Sequence, residues 1–376
     1  MDRLHLLPPS STPFEKALAE TLDPTPDVAP GIVELHSFKL DTPQPSILPW
    51  LVVEYGLGTI SQYLPDLASV IEYGLRWQRV KGTPQGIAEA LSWVGYAFDA
   101  VYEYPTRRTR WHLYELEMDR HRDSEGDLGT IEAVVRLSDP VRSEFFRAYH
   151  GYNVREVDWG HTRWGHAIWG DVSGVRLHPD GAKWSYGRTF EPPNGRHELT
   201  QAELEAAGAW VPSVEDGGIK WGAFPWTTPG LSWVSAGAET RFNVIATTLL
   251  AKACWIGIYR QDGTAIGFRK ARVFRAVAPQ FGGYYRAGSA TYIASAPAGS
   301  SIYVEALTNF GEGDGETAHS WSITLGGSPP PGTKSGKMWL AGNAITGGSV
   351  VGGFAISPAL FGKTSRERFR TILKIV

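Results

Sequence analysis

"TSRERFRTILKIV", residues 364–376, closes the chain, and whether it is an appendage or part of a folded body decides how the C-terminal third is organised. Arg366, Arg368, Arg370 and Lys374 are interleaved with Phe369, Ile372 and Leu373, the make-up of an amphipathic segment. Its cations have the chemistry to touch nucleic acid, but the apolar side chains between them favour docking on another protein. Just upstream, "GGSPPPGTKSGK" (326–337) has the composition of a flexible or extended linker. Residues 329–376 are therefore expected to be a linker and a C-terminal docking arm, too short from Met338 onward to fold alone, with Arg366, Phe369, Ile372 and Leu373 as partner contacts.

Working back from the arm, residues 229–328 read as an antiparallel β-sandwich. Six runs carry strand-like composition: "TRFNVIATTLL" (240–250), "CWIGIYR" (254–260), "AIGFRKARVFR" (265–275), "ATYIASA" (290–296), "SIYVEALT" (301–308) and "HSWSITL" (319–325). Short turns separate them, and Asp262-Gly263 is a strong hairpin signal. Before them lies an irregular Trp/Gly-rich region, 151–228, with one short helix at "LTQAELEAAG" (199–208) capped by Thr200. Within it "DWGHTRWGHAIWGD" (158–171) spaces Trp159, Trp164 and Trp169 five residues apart. No regular helix or strand lines up side chains at that step, so the segment reads as a loop pinned to a surface by successive aromatic anchors. Packing against another domain or subunit is the favoured role. The alternative is a metal set of His161, His166 and Asp171, a two-histidine, one-carboxylate combination.

Residues 98–150 read as a small mixed α/β layer. "FDAVYEY" (98–104), "WHLYELEM" (111–118) and "IEAVVRL" (131–137) are expected strands, and Asp139-Pro140 is expected to open a helix carrying Phe145, Phe146 and Tyr149. Residues 1–97 read as a helical head. Thr12, Pro13 and Glu15 form a capping-box start, with Phe14, Ala17, Leu18 and Leu22 on one face. "SILPWLVVEYGLG" (46–58) is apolar almost all round, which places Trp50 and Tyr55 in the core. At "KGTP" (81–84) one helix ends at Gly82 as Thr83 and Pro84 start another, folding the two into a corner. The fold class is thus α+β and multidomain.

Composition narrows the function classes. A net charge of −3 gives no general attraction to nucleic acid or an acidic membrane. Cys254 is the single cysteine, which excludes an intramolecular disulfide and a thiolate zinc cluster. No apolar run reaches the ~18 residues of a membrane span, and the first residues lack a signal-peptide core, so synthesis as a soluble protein in a reducing cytoplasm is expected. Fifteen Trp, 43 Gly and 25 Pro describe many turns and large aromatic anchors, a mix common in assembly proteins. No "GxSxG", P-loop or "HExxH" motif is present, and Cys254 in an apolar run reads as an inert thiol. "DRHRDSEGDLG" (119–129) offers Asp119, Asp123, Glu125 and Asp127, and "NFGEGDGE" (309–316) offers Glu312, Asp314 and Glu316, as calcium ligands. The first lacks the EF-hand glutamate and reads as a charged hairpin loop, and the second reads as a turn between strands.

Three segments carry a resemblance: "LLPPSSTPFEKAL" (6–18), "LPWLVVEYGL" (48–57) and "GLRWQRVKGTPQGIAEALSWVGY" (74–96). Their order and spacing over about residues 1–115 resemble the phage tail protein I family, a baseplate component of contractile-tailed bacteriophages. That resemblance implies a structural protein of the virion baseplate, assembled in the host cytoplasm, with neither catalysis nor a cofactor. It implies as partners a baseplate J-class wedge protein, tail-fibre or other peripheral proteins, and hub or sheath neighbours. A glycan- or receptor-binding role for the sandwich, marked by exposed tryptophans, is the second expectation, and an envelope-degrading enzyme the third.

Overall fold

Two capping threonines and a glycine corner shape the N-terminal helices. The structure, a computed structural model, describes residues 7–37, 45–103, 109–157, 159, 167–211, 236–295 and 300–376. Helix α1 (Pro13–Leu22) starts on the Thr12–Glu15 capping box, and α2 (Thr25–Ser37) follows it. Helices α3 (Leu48–Glu54), α4 (Leu67–Val80) and α5 (Pro84–Trp93) bury Leu51, Val52, Val70, Ile71, Trp77 and Ala90 in one core. The corner at "KGTP" is in place. Gly82 takes φ +82°, a conformation that side chains with a Cβ resist, and the Thr83 hydroxyl accepts from the Gly86 N–H at 3.3 Å. Trp77 donates its indole N–H to Ser138 at 2.9 Å and packs edge-on against Trp93. Trp50, expected in this core, is instead 74% exposed. Residues 1–96 and 134–142 form one compact unit, and residues 97–133 and 143–376 form the other.

Next in the chain come β1 (Phe98–Glu103) and β2 (Leu113–Met118), then α6 (Asp127–Ser138), whose residues from Val134 on belong to the first unit, and β3 (Glu144–His150). Here the structure corrects two readings. "IEAVVRL" is helical because Leu128, Ile131, Val134 and Val135 bury one helical stripe, and the Asp127 carboxylate at the helix start accepts from both the N–H and the hydroxyl of Ser124. The stretch holding Phe145, Phe146 and Tyr149 is a strand, parallel to β2, and α6 is the crossover that a parallel pair requires. Strands β4 (Val175–Arg176), β5 (Lys183–Phe190) and β6 (Arg196–Leu199) precede helix α7 (Gln201–Ala206), whose cap Thr200 is as read.

Helix α8 (Ala236–Leu250) corrects the strand reading of "TRFNVIATTLL": Ile245, Ala246 and Leu249 are buried at helical spacing. Strands β7 (Cys254–Tyr259), β8 (Ala265–Lys270), β9 (Val273–Pro279), β10 (Tyr285–Ala287), β11 (Ala290–Ala294), β12 (Ser301–Leu307) and β13 (Thr317–Leu325) follow. The chain ends with β14 (Trp339–Ala341), β15 (Ser349–Leu360) and β16 (Ser365–Ile375). Among the described residues these strands make two sheets. The smaller runs β14-β8-β7-β13-β15, and the larger runs β1-β2-β3-β5-β16-β12-β9-β11-β10, with β4 on β5 and β6 on β16. Their facing sides share a core of Ile256, Ile258, Trp321 and Ile323 against Ile302, Val304, Phe369 and Leu373, with α7 and α8 contributing Leu204, Ile245 and Leu249.

The expected docking arm is therefore the strand that closes the larger sheet. β16 runs parallel to β5 and β6 along one edge and antiparallel to β12 along the other. It joins strands from residues 98–199 to strands from residues 273–307, regions that composition had divided at 150 and 228. The linker expected at 326–337 leads directly into β14, which pairs with β8. Trp339 lies there so close that a Cβ on Gly267 would sit 2.4 Å from its ring.

Buried polar groups tie the layers of this unit. Arg188 makes a bidentate pair with Glu367, at 2.6 and 3.0 Å, and Arg122 pairs with Glu125, which also accepts from the Thr364 N–H and hydroxyl. His121 packs on Tyr186, and burial, aided by the Arg188 charge, pushes its imidazole down to about 3. A histidine with a depressed value contributes stability at neutral pH. That stability is lost as pH falls below the unfolded value near 6.5, because only the unfolded chain takes up the proton. Moving from pH 7.5 to 5.5 is expected to cost the unit about 1.4 kcal/mol through this residue. Urea unfolding at the two pH values measures it: His121→Gln should remove that increment, and an unchanged pH slope would show that His121 does not titrate on unfolding.

Candidate partner-binding surfaces

Four stretches come into question as contact surfaces, and the structure treats them differently. In the C-terminal stretch the side chains are consumed within the chain. Phe369 and Leu373 are fully buried in the inter-sheet core, and Ile372 packs with Val277, Ala287 and Tyr303 on the other face of the sheet. Arg366 donates to the Thr308 carbonyl at 2.6 Å and to the Tyr152 hydroxyl at 2.6 Å, Arg370 pairs with Glu191, and Lys374 reaches Glu198 at 3.4 Å. The expected partner contacts Arg366, Phe369, Ile372 and Leu373 are thus contacts of the fold. A strand's two faces show one apolar residue and one cation alternately, which reads from sequence as amphipathic whether the partner is another protein or the next strand.

The tryptophan segment is different. Trp159 and Trp169 are 72% and 66% exposed, and their rings meet edge-to-face with centroids 6.0 Å apart. Backbone bonds from Val157 to Ile168 and from Ile168 to Arg155 bring the two ends of the segment together. Trp164, His161 and His166 lie outside the described residues. The third residue of the metal alternative, Asp171, pairs with Lys183 and accepts the Val172 N–H at 2.8 Å.

The helical unit carries uncovered apolar side chains in rows. On α1 Phe14, Leu18 and Leu22 recur every four residues, all exposed, and the helix has no buried residue. Val28 and Ile32 on α2, and Trp50 and Val53 on α3, are exposed at spacings of four and three, so each pair shares a helix face. The four-residue recurrence on α1 was legible in sequence, but periodicity shows only that a helix has an apolar face, not whether that face is covered.

The carboxylate clusters are engaged in the fold. Asp123 pairs with Arg120, Glu125 with Arg122, Glu312 with Arg269, and Glu316 with Arg260. Among the described residues no group of three or more His, Cys, Asp or Glu is placed to hold a metal ion. Cys254 is buried, and burial raises its thiol well above the ordinary value, which removes it as a nucleophile. Trp255 and Trp321 of the sandwich are buried too, so the stacking platform that would mark a glycan site is not formed by them. Among the described residues no helix is long and apolar enough to cross a membrane.

No curated protein matches the chain. Residues 7–143 match the family described as phage tail protein (Tail_P2_I). The match covers all but Leu6 of the three segments that carried the resemblance and runs beyond residue 115 through the end of β2 and α6. Just over a third of the chain is thus similar in sequence to this phage tail family, and the match supports a structural role in a phage tail.

Proposed function

We propose that the chain is a baseplate wedge subunit of a contractile tail, and that α1, α2 and α3 dock it on a wedge partner of the baseplate J class. The observation that carries this reading is α1. A helix of ten residues is marginal alone in water. This one is well capped yet buries nothing, while presenting Phe14, Leu18 and Leu22 in one stripe. Such a stripe suits an apolar groove on another protein. The paired rings of Trp159 and Trp169 supply a second contact, on the β unit, for tail-fibre or other peripheral baseplate proteins, since exposed aromatic anchors dominate interface strength once buried. Through these two surfaces the subunit relays a rearrangement from the periphery toward hub and sheath, and it performs no chemistry. Virion baseplate is its location.

Co-expression with the J-class protein of the same genome, followed by sizing, tests the docking surface. Phe14→Asp with Leu18→Asp is expected to abolish the complex while leaving the thermal transition of the free chain unchanged, because neither side chain is buried. Undiminished complex formation by that variant would overturn the assignment of α1.

A further inference from the structure

We propose that the turn between β9 and β10 is a contact for an anionic lipid surface. Phe281 and Tyr284 lie in it, 102% and 86% exposed, so no neighbouring group covers either ring. The turn is nevertheless well formed. The Gln280 N–H donates to the Thr291 carbonyl at 2.9 Å, the Thr291 hydroxyl donates to the Gln280 carbonyl at 2.6 Å, and the Gly283 N–H donates to that same carbonyl at 3.1 Å. Gly283 lies so close to Tyr292 that a Cβ would sit 2.3 Å from its carbonyl oxygen. Two apolar rings are thus presented to solvent by a bonded turn.

Charge supports the same partner. Residues 263–304 include Arg269, Lys270, Arg272, Arg275 and Arg286 but neither Asp nor Glu, in a chain whose net charge is −3. Arg269 is taken by Glu312, whereas Arg275 and Arg286, on the strands that carry the turn, are exposed and make no ion pair among the described residues. Arg275 donates to the Tyr285 hydroxyl at 2.9 Å. Of the carboxylates around these strands, Glu305 on β12 accepts from the Tyr303 hydroxyl at 2.6 Å, and Glu191 accepts the Gly288 N–H and pairs with Arg370. Rings at the end of a turn with cations behind them match the layering of a bilayer surface, where aromatics sit at headgroup level and cations meet anionic lipid. A polynucleotide is held in a basic groove that tracks its backbone, whereas these rings stand at the tip of a turn.

The test uses the full chain with Gln280→Cys carrying an environment-sensitive fluorophore, Cys254 being buried. Vesicles of phosphatidylcholine with phosphatidylglycerol should shift the emission to the blue and raise it, and vesicles of phosphatidylcholine alone should do so weakly. Phe281→Ser with Tyr284→Ser should abolish the response. Arg275→Gln and Arg286→Gln should each raise the lipid concentration at half-response about fivefold. The proposal is overturned if mixed vesicles give no response, if the serine variant responds equally, or if a single-stranded oligonucleotide gives the response and vesicles do not.

Discussion

A chain ending at Lys363 does not assemble its β unit. Without β16 the larger sheet loses the one strand shared by β5 and β12, and falls into two pieces with open edges. The inter-sheet core loses Phe369, Leu373 and Ile375, and Arg188 is left without its Glu367 partner. Phe369→Ala alone is expected to cost about 3–5 kcal/mol, of the same order as the whole stability of an ordinary domain, so removing the strand exceeds what the unit can lose. The helical core contains no residue from 364–376 and should keep its own transition. Urea unfolding followed by limited proteolysis reads both units: the truncated chain should lose protease resistance from residue 143 onward. A monodisperse truncated protein with both transitions intact would show that β16 is dispensable after all.

Arg147→Ala destabilises the β unit by about 3 kcal/mol, because it leaves the buried Glu115 carboxylate with only the partly exposed Arg155, 3.3 Å away, as counter-charge. Arg147 and Glu115 are both fully buried, 3.3 Å apart, and Arg147 also donates to Asn153 at 3.0 Å and Ser173 at 2.7 Å. Ser173 in turn bonds Ser185 and the Val154 N–H. This network holds residues 152–155 and 173, which have no regular structure, onto β2, β3 and β5. Replacing both charges by apolar residues, Glu115→Leu with Arg147→Met, should be less harmful than Arg147→Ala, since it removes the unmet desolvation along with the pair. Chemical denaturation of the three proteins measures the difference. A loss below about 1 kcal/mol for Arg147→Ala would mean that Arg155 alone compensates Glu115.

The helical corner was legible because its signals are local: Gly82, Thr83 and Pro84 each act on the backbone within a turn of themselves. The hairpin at Asp262-Gly263 and the alternation in β7, β12 and β13 were legible for the same reason. What misled were segments whose composition suits one element and whose spacing suits another. Val134 and Val135 in α6, and Val244, Ile245 and Thr247 in α8, are β-branched, yet their apolar positions recur at helical intervals and the Ser124–Asp127 bonds mark the start of α6. β16 was the deepest difficulty. Its partners β5, β6 and β12 lie at least 58 residues away in sequence, and parallel pairing leaves no turn signal to announce it. The candidate surfaces divide the same way: spacing finds the stripe on α1, but only the folded chain shows that Trp50 stays uncovered and that Phe369 does not.

In a cryo-EM map of the assembled tail this subunit should lie in the baseplate wedge, with Phe14, Leu18, Leu22 and Trp50 buried against a neighbouring wedge protein. Finding those side chains facing solvent in the assembled tail, or the subunit outside the baseplate, would contradict the wedge assignment.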